Sequence, residues 1–293
     1  MISIIIPVYN QSKSLDYVLE AFQLQHYNES FEIVLIDDGS TDELTTIIDK
    51  YINDSKFNLK IIRNKVNMGR AYSRNVGIKY SNGEILIFND SDRIPSKNFL
   101  KNHINFLKNH PGSICIGEVK ELYYSIDNLN EIWNAVLSDG RMARKATYYR
   151  VIENLFNNLG DTDSKISWLA TLTGNMAVRR EDLCETFDEF FIEWGFEHFE
   201  LGYRLIQQKK SIRLNRSATN YHIAHARNKD YYNENLYKSH SKFVEKHNAK
   251  EILMLIDFIQ GKLSLQDYEM QIDGKKKWLL EKNKPIFNTI LNY

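Results

Sequence analysis

Cysteine, proline and glycine are scarce in this sequence of 293 residues, and neither charge is in excess. The two cysteines, Cys115 and Cys184, are too few for a disulfide scaffold, and we expect both to be reduced and buried. The 38 Lys and Arg residues balance 38 Asp and Glu residues, which argues against a nucleic-acid clamp or an acidic tail. The composition, 43% hydrophobic and 26% charged, is typical of a globular protein, and the length suffices for one large domain or for one domain plus an appendage.

A long hydrophobic run is also lacking. The apolar N-terminal stretch stops at Pro7 without a preceding basic segment, and the later run over residues 252–259 is interrupted by Asp257. Both runs are too short for a signal peptide or a membrane-spanning helix. We therefore expect a soluble, cytoplasmic protein.

Apolar runs alternate with helical patterns along the first 110 residues. The runs predict strands over residues 2–6, 31–36, 59–62 and 84–88. The patterns that follow them predict helices over residues 13–25, 44–51, 69–80 and 99–110. Thr41 offers an N-cap to the second helix. This alternation predicts βαβ units and an α/β fold whose mostly parallel sheet has helices on both faces.

The second half of the sequence is more irregular. It predicts a short strand over residues 113–116, a helical segment over 130–159, a strand-like segment over 167–178 and an amphipathic helix over 197–208. From residue 230 onward the pattern is helical, and no internal repeat occurs. We therefore expect a domain over residues 1–230 and a helical C-terminal extension over residues 231–293.

Polar residues follow the first, second and fourth predicted strands. They are Tyr9 and Asn10, Asp37 and Asp38, and the triplet Asp90-Ser91-Asp92. Because the carboxyl ends of parallel strands meet at one edge of the sheet, where such folds bind ligands, these residues predict one shared pocket. Asp90 and Asp92 can both reach one hard divalent cation, Mg²⁺ or Mn²⁺, and a diphosphate that it bridges. A turn with solvated carboxylates is the alternative.

Two further segments suit a nucleotide. The carboxylates of Asp37-Asp38-Gly39-Ser40 can accept hydrogen bonds from a base or a ribose, although a turn with a helix cap explains this segment equally well. The segment Asn67-Met68-Gly69-Arg70 and the following Arg74 combine helix N-terminal amides with guanidinium groups, which suit phosphate. A plain capped surface helix is the competing interpretation.

Together these segments resemble the ordered signature of family 2 glycosyltransferases with the GT-A fold, whose Rossmann-like sheet is mixed and mostly parallel. The resemblance spans about residues 2–227 and continues through Thr173-Gly174-Asn175 and Trp194-Gly195-Phe196-Glu197. It implies an inverting transfer from a nucleotide sugar, usually a UDP-sugar.

The resemblance also implies a role for each matching residue. The nucleotide-sugar site would comprise Pro7, Val8, Tyr9, Asn10, Asp37, Asp38, Asn67, Gly69, Arg70, Arg74, Asp90, Ser91, Asn175 and Trp194. Tyr9 would pack on the base, and Asp37 or Asp38 would read the uracil and the ribose. Asp92 would bind the Mn²⁺ or Mg²⁺ ion that holds the diphosphate.

His222 and His225 lie three residues apart near the end of the resembling region. A core or surface pair is the usual meaning of this spacing. In several branches of the family a His after the last strands completes the metal site. The resemblance therefore makes one of these two residues a metal ligand, with His225 as the first choice.

The sequence departs from the family at the residues expected to include the general base. The family often has Glu-Asp at the start of the helix in the Trp-Gly segment. The pair here is Glu197-His198. Either Glu197 deprotonates the acceptor hydroxyl or His198 does, since an imidazole suits a general base near neutral pH. A third alternative gives this role to Glu200 and leaves His198 to contact the acceptor.

For each of three further sequence features, alternative interpretations stay open. Asn175 either points into the sugar or acceptor pocket or belongs to a turn, and Trp194 is either a sugar-stacking platform or a core anchor. The C-terminal Lys275-Lys276-Lys277 either contacts an anionic membrane surface, such as the inner face of the membrane, or a partner chain, or it forms the solvated side of a packing helix.

We expect a metal-dependent, inverting glycosyltransferase that moves a hexose or N-acetylhexosamine from a UDP-sugar to a hydroxyl of a glycan or glycoconjugate. Transfer to a peptide or protein side chain is one alternative. A catalytically silent subunit that partners an active transferase is another, because the Asp of the family is missing at position 198. The neutral charge predicts no nucleic-acid partner, and a homodimer stays open.

Overall fold

The computed structural model describes residues 1–53, 56–138, 140–192, 195–224, 229–274 and 284–288, without the side chains of residues 229–233. One mixed sheet organises this part of the chain. Its nine strands are β1 (Ile2–Val8), β2 (Phe31–Asp37), β3 (Asn58–Arg63), β4 (Ile85–Asn89), β5 (Arg93–Pro95), β6 (Ser113–Leu122), β7 (Arg144–Lys145), β8 (Asn175–Arg179) and β9 (Ser211–Ile223).

Helices cover this sheet. They are α1 (Ser12–Gln23), α2 (Leu44–Tyr51), α3 (Arg70–Tyr80), α4 (Phe99–Asn109), α5 (Leu129–Leu137), α6 (Thr147–Ile152), α7 (Glu197–Gln207), α8 (Lys229–His247), α9 (Lys250–Leu253), α10 (Leu255–Ile259) and α11 (Leu265–Asp273). The strands and helices predicted for the first 110 residues are all present, close to their predicted ends. Within the described ranges, no helix combines the length and the hydropathy that a bilayer crossing requires.

The strand order is β3-β2-β1-β4-β8-β6-β9-β5, with β7 beside β6. β1 pairs in parallel with β2 and β4, whereas β8 runs antiparallel to β4 and β6. The register sets Val8 opposite Asp37 and Ile5 opposite Phe88, so the carboxyl ends of β1, β2 and β4 meet at one edge. The predicted α/β fold class is confirmed.

Successive residues of β1 belong to two hydrophobic cores. Ile5 is buried in a core with Ala71 of α3, whereas Ile4 and Ile6 are buried in a second core with Val18 of α1. Because successive side chains of a strand point to opposite faces of the sheet, helices cover both faces, as predicted. Burial of each such Ile side chain contributes roughly 1.5–3 kcal/mol to the stability of the fold.

The middle of the chain departs from its predicted secondary structure. The helix predicted over residues 130–159 is broken after α5, where Gly140 adopts a φ of 72° and β7 pairs with β6. In the predicted strand over residues 167–178, Ser167–Ala170 form a 3₁₀ turn instead, and only β8 is extended. The predicted strand over residues 113–116 continues to the end of β6, because β9 pairs along its whole length. β9 was not predicted from the sequence, because its many polar residues interrupt the apolar pattern.

Two local predictions are wrong. Thr41 does not cap α2, which begins at Leu44 without a side-chain cap. The N–H of Thr41 instead donates to Asn10 Oδ1 at 2.8 Å. Cys115 is buried as predicted, whereas Cys184 is exposed, because it lies in the loop after β8 rather than in the sheet.

The C-terminal helices pack on the same core as the sheet. Phe243 of α8, Leu255 of α10 and Tyr268 of α11 are buried in the core that also contains Trp168. The ring centres of Trp168 and Phe243 are 5.7 Å apart. The helices after residue 230 therefore share the interior of the sheet domain, and a boundary at that residue stays a prediction.

A polar network is buried between α4 and the sheet. His103 of α4 places Nε2 2.8 Å from Asn175 Oδ1 and Nδ1 3.3 Å from Cys115 Sγ. Burial lowers the pKa of His103 to about 4, and the hydrogen bond to Asn175 opposes this shift only in part. His103 is therefore neutral in the folded protein near pH 7.

We expect acid to destabilise the fold through His103. The unfolded chain takes up this proton near pH 6.5 and the folded chain only near pH 4, so the stabilisation is complete above pH 6.5 and lost as the pH falls to 4. The shift corresponds to about 3 kcal/mol in the free energy of unfolding. Urea titrations at neutral pH and near pH 4 measure this loss. His103→Gln should remove it, and an unchanged pH dependence in that variant would contradict the assignment.

Candidate active site

Several of the predicted site residues lie at the carboxyl edge of the sheet. Tyr9 follows β1, Asp38 follows β2 and Asp90 follows β4, and these parallel strands end side by side. β9 reaches the same edge from the other side, because His222 pairs with Arg93 and the N–H of Ile223 donates to the carbonyl of Asp92 at 3.0 Å. This edge therefore combines residues that follow the first strand in the chain, β1, with residues of the last strand in the chain, β9.

Tyr9 and Asn10 directly follow β1. Pro7 and Val8 are buried in the strand, whereas Tyr9 is 47% exposed. Asn10 adopts a left-handed φ of 51°, and its Oδ1 accepts the hydrogen bond from Thr41. This bond connects the loops that follow β1 and β2.

The two carboxylates after β2 are buried and hydrogen-bonded within the protein. Asp37 Oδ1 accepts from the N–H of Ser40 at 2.7 Å. The carboxylate of Asp38 accepts from the N–H groups of Met68 and Gly69, each at 2.9 Å. These bonds hold the loop before α3 against β2. Direct contact of either carboxylate with a base or ribose stays a prediction.

The loop before α3 turns toward the pocket at Gly69. Gly69 has a φ of 88°, and a Cβ there would lie 3.0 Å from the carbonyl oxygen of Ile192, so this position requires glycine. Asn67 is exposed, and the Arg70 side chain is 40% exposed with Nε 3.9 Å from Glu197 Oε1. A helix N-terminus with a half-exposed cation suits phosphate, as predicted for Arg70.

Arg74 is buried between two carboxylates. Its side chain is 1% exposed, and it donates from Nη1 to Glu197 Oε1 and from Nη2 to Asp90 Oδ1, each at 2.9 Å. Of the two arginines, either of which the resemblance places toward the nucleotide, Arg70 is half-exposed and Arg74 is buried. Both terminal nitrogens of Arg74 are bonded inside the protein, and a contact of either arginine with a nucleotide stays a prediction.

Asp90 and Ser91 are held in place by neighbouring side chains. Burial alone would raise the pKa of Asp90, but the guanidinium groups of Arg74 and Arg93 lower it below its usual range. Ser91 donates to Gln11 Oε1, and Gln11 Nε2 donates to Asp92 Oδ2 at 3.3 Å. A single Gln or Arg outside the motifs has no sequence signal, so sequence analysis missed Gln11 and Arg93.

Asp92 and His222 form a candidate metal centre. His222 Nε2 lies 3.4 Å from Asp92 Oδ2, and His222 Nδ1 lies 2.6 Å from Glu121 Oε2. A carboxylate behind the second ring nitrogen orients the imidazole, an arrangement typical of metal-ligating histidines. Burial would lower the pKa of His222, but Asp92 and Glu121 raise it to about 9, so a bound metal would displace a proton.

His225 and Trp194 lie outside the described residues. No group of three or more His, Cys, Asp or Glu side chains surrounds a common point in the described part of the chain. The donor set that fits a divalent ion is therefore the carboxylate of Asp92 and the imidazole of His222. One oxygen and one nitrogen leave most coordination positions to other ligands, such as a diphosphate.

Glu197 and His198 are the first two residues of α7, but their side chains differ in exposure. The Glu197 side chain is 2% exposed and the His198 side chain 20% exposed, with Glu197 Oε1 3.7 Å from His198 Nδ1. Burial would raise the pKa of Glu197, but Arg70 and the other cationic neighbours hold it well below its usual value. Glu197 is thus a buried anion, and His198 is the more accessible group.

Glu200 does not face the pocket, and its proposed role as the base is wrong. It is fully buried, accepts from Arg204 Nε at 2.8 Å and lies 2.9 Å from Lys246 Nζ. His247 Nε2 lies 2.9 Å from the same oxygen. These contacts join α7 to α8.

Asn175 lies in the core instead of the pocket. Its Nδ2 donates to the carbonyl oxygens of Glu118 at 2.9 Å and Ala218 at 3.0 Å, and its Oδ1 faces His103. Both amide hydrogens are used and the residue is 0% exposed. The predicted contact of Asn175 with a sugar or an acceptor is therefore wrong.

Comparison with known proteins identifies relatives of this chain. The sequence profile described as glycosyl transferase family 2 matches residues 3–187. The uncharacterized glycosyltransferase YfnE of Bacillus subtilis (strain 168) is 28% identical over 259 residues, which cover 77% of this chain and 65% of YfnE. Chondroitin synthase of Pasteurella multocida (strain Pm70) is 28% identical over 243 residues, which cover 75% of this chain and 24% of that protein. The chain thus spans less than two thirds of either relative.

Solved structures share the fold. S. aureus TarS 1–349 has a TM-score of 0.61 at 20% identity, covering 94% of this chain and 75% of the TarS chain. The mannosyltransferase PcManGT of Pyrobaculum calidifontis has a TM-score of 0.58 at 15% identity, covering 87% of this chain and 67% of its own. This similarity shows the fold alone, which is GT-A, as the sequence predicts. Because the family profile covers more than half of the sequence, the chain belongs to glycosyl transferase family 2.

Proposed function

We propose that the chain transfers a hexose or N-acetylhexosamine from a UDP-sugar to a hydroxyl of a glycan or glycoconjugate, with inversion and with a divalent metal ion. The observation that carries this proposal is the placement of Asp92 against His222, at 3.4 Å, on the sheet edge that also exposes the ring of Tyr9. A metal-binding pair near a ring that can stack on a base suits a nucleoside diphosphate sugar, whose leaving group is an anionic diphosphate.

Relatives support this donor class. TarS structures contain UDP or UDP-GlcNAc, and the PcManGT structure contains GDP-Man and Mn²⁺. The matching proteins include a chondroitin synthase and a poly(ribitol-phosphate) beta-N-acetylglucosaminyltransferase. These names support a glycan or glycoconjugate acceptor for this chain.

In the proposed site, Asp92 and His222 hold Mn²⁺ or Mg²⁺. A metal bound there supplies positive charge that stabilises the leaving diphosphate. Tyr9 packs on the uracil, and Arg70 lies beside the diphosphate at the start of α3. Asp90, which is ionised, accepts a hydrogen bond from a hydroxyl of the ribose or the transferred sugar.

His198 is the general base in this proposal, and Glu197 orients it. A carboxylate whose pKa lies well below its usual value accepts protons weakly, which disfavours Glu197. His198 Nδ1 faces Glu197 Oε1 at 3.7 Å, which leaves Nε2 for the acceptor hydroxyl. His198 takes the proton while the acceptor oxygen attacks the anomeric carbon and UDP departs from the opposite face. One such displacement inverts the anomeric centre and needs no covalent intermediate.

A catalytically silent subunit is the second candidate function. The observation that favours it is His198 at a position where the family often has Asp. A peptide or protein acceptor, a homodimer, a cytoplasmic location and peripheral membrane contact remain predictions. The lysines proposed for membrane contact, residues 275–277, lie outside the described residues.

A donor screen tests the proposed function. The chain is incubated with Mn²⁺ and a panel of UDP-sugars, and the melting temperature and released UDP are measured. We expect one UDP-sugar to raise the melting temperature and to undergo slow hydrolysis that EDTA abolishes. Absence of UDP and UDP-sugar binding in the presence of Mn²⁺ contradicts the donor assignment. Donor binding without turnover, with or without acceptors, supports the silent subunit.

A further inference from the structure

The guanidinium group of Arg74 is buried beneath the candidate active site. Arg74 projects from α3 with 1% of its side chain exposed, and its Cζ lies 5.4 Å from the centre of the Phe187 ring. Removal of such a cation from water is costly unless well-placed carboxylates compensate it. The burial of Arg74 therefore requires a structural reason.

Two carboxylates from distant parts of the sequence compensate this charge. Glu197 is 123 residues from Arg74 and Asp90 is 16 residues away, and each accepts one hydrogen bond at 2.9 Å. The planar fork of an arginine can bond both partners at once, whereas the single ammonium of a lysine cannot reproduce that geometry. Arg74 is thus a direct polar link between the turn after β4 and the start of α7.

Each carboxylate that binds Arg74 is close in sequence to a residue with a role in the proposed reaction. Asp90 precedes the metal ligand Asp92 by two residues, and Glu197 directly precedes the base His198. A shift of either carboxylate would therefore move a functional side chain. Displacements of about 1 Å in such groups lower turnover by roughly 100-fold.

The start of α7 needs external support. Gly195 and Phe196 both have left-handed φ angles, of 92° and 72°, and no side chain caps the helix. Such backbone conformations persist at a non-glycine residue only where surrounding contacts maintain them. The hydrogen bond from Arg74 to Glu197 is a contact of this kind, because Glu197 is the first residue of the helix.

We propose that Arg74 is a positioning residue that couples the metal-binding turn after β4 to the base at the start of α7. It touches neither donor nor acceptor and acts through Asp90 and Glu197. The functional meaning of this coupling rests on the proposed roles of Asp92 and His198. The coupling itself is a property of the fold, so it can be measured without a substrate.

Amide hydrogen exchange tests the coupling in the protein alone. Asp90→Asn should accelerate exchange in a peptide over residues 195–201, which does not contain the substitution. In an Arg74→Met background, where the start of α7 is already loosened, the same substitution should have no further effect on that peptide. An equal effect of Asp90→Asn in both backgrounds, or no effect in either, overturns the proposal.

Arg180, which directly follows β8, provides a matched control because it contacts the same helix, α3. Its guanidinium donates to the carbonyl oxygens of Gly83 at 2.8 Å and Ile78 at 3.1 Å, near the C-terminal end of α3 and at the opposite edge of the sheet. Arg180→Met should accelerate exchange over residues 78–83 and leave residues 195–201 unchanged. Loss of protection over residues 195–201 in this variant would mean that any loosening of α3 has the effect, which overturns the specific role of Arg74.

Kinetics with an active UDP-sugar separate positioning from binding. Arg74→Lys keeps the charge but loses the fork, so we expect kcat to fall about 10- to 100-fold while the affinity for UDP with Mn²⁺ changes less than about threefold. Arg180→Lys should change neither quantity. An unchanged kcat in Arg74→Lys, or lost UDP affinity at normal kcat, overturns the proposal. If the wild-type chain binds no UDP, the proposed function is wrong, and the exchange experiment still decides the coupling.

Discussion

Replacement of Asp92 by Asn is expected to lower turnover of the UDP-sugar by about 1,000-fold, about 4 kcal/mol in activation free energy. Asp92 is the carboxylate that faces His222 at 3.4 Å, and a neutral amide oxygen binds a hard divalent ion more weakly than a carboxylate does. The amide oxygen of Asn can still accept the hydrogen bond from Gln11, so the turn should keep its shape. UDP release at saturating donor and Mn²⁺ measures this effect.

Binding of UDP shows whether the metal site causes the loss. We expect Mn²⁺ to strengthen UDP binding in the wild-type chain and not in Asp92→Asn. Asp127→Asn is the matched control, because Asp127 is an exposed carboxylate that pairs with Lys13 outside the proposed site. His222→Ala should weaken Mn²⁺-dependent UDP binding as well. If Asp92→Asn retains the full effect of Mn²⁺ on UDP affinity, Asp92 is not a metal ligand.

Replacement of His198 by Ala is expected to lower kcat by about 100- to 10,000-fold, the usual contribution of general base catalysis. The affinity for UDP and the melting temperature should stay close to those of the wild-type chain, because the His198 side chain is partly exposed and its nearest acid is Glu197. Single-turnover transfer to an acceptor measures the chemical step directly. His110→Ala is a suitable control, because His110 precedes β6 at the opposite edge of the sheet.

Glu197→Gln distinguishes the base from the group that orients it. This substitution leaves the buried Arg74 with one ionised partner, Asp90, so we expect a lower melting temperature as well as a lower kcat. A base at position 197 predicts the same fall in melting temperature but a different kinetic pattern. In that case Glu197→Gln would abolish turnover, and His198→Ala would retain turnover within about tenfold of the wild-type value.

The strands and helices were predicted well where the buried residues follow a simple pattern along the sequence. β1, β2 and β4 are buried on both faces and appear in the sequence as apolar runs with few polar residues, and the helices between them have one apolar face. β9 has no such pattern, because Asn215, Asn220 and His222 are buried polar residues with partners on other elements. A periodicity argument counts these residues as exposed and therefore misses the strand.

The motif residues divide into two groups that the sequence cannot separate. Tyr9 and Asp92 lie at the carboxyl edge of the sheet, whereas Arg74 and Asn175 are buried and hold other elements in place. Both groups occur in the same motif segments. Only the hydrogen bonds of each side chain assign it to one group.

By itself, the sequence determined the family, the α/β order of elements and the pair of carboxylates, Asp90 and Asp92, that follows β4, because local patterns and short motifs encode each of these. The tertiary structure decided which side chains complete the site. Glu121 orients His222 across 101 residues of sequence, and Arg74 reaches Glu197 across 123 residues. Such partners are set by the packing of strands and helices, and no local pattern records them. The physical reason is that a buried charge or imidazole needs a partner within about 3 Å in space, wherever that partner lies along the chain.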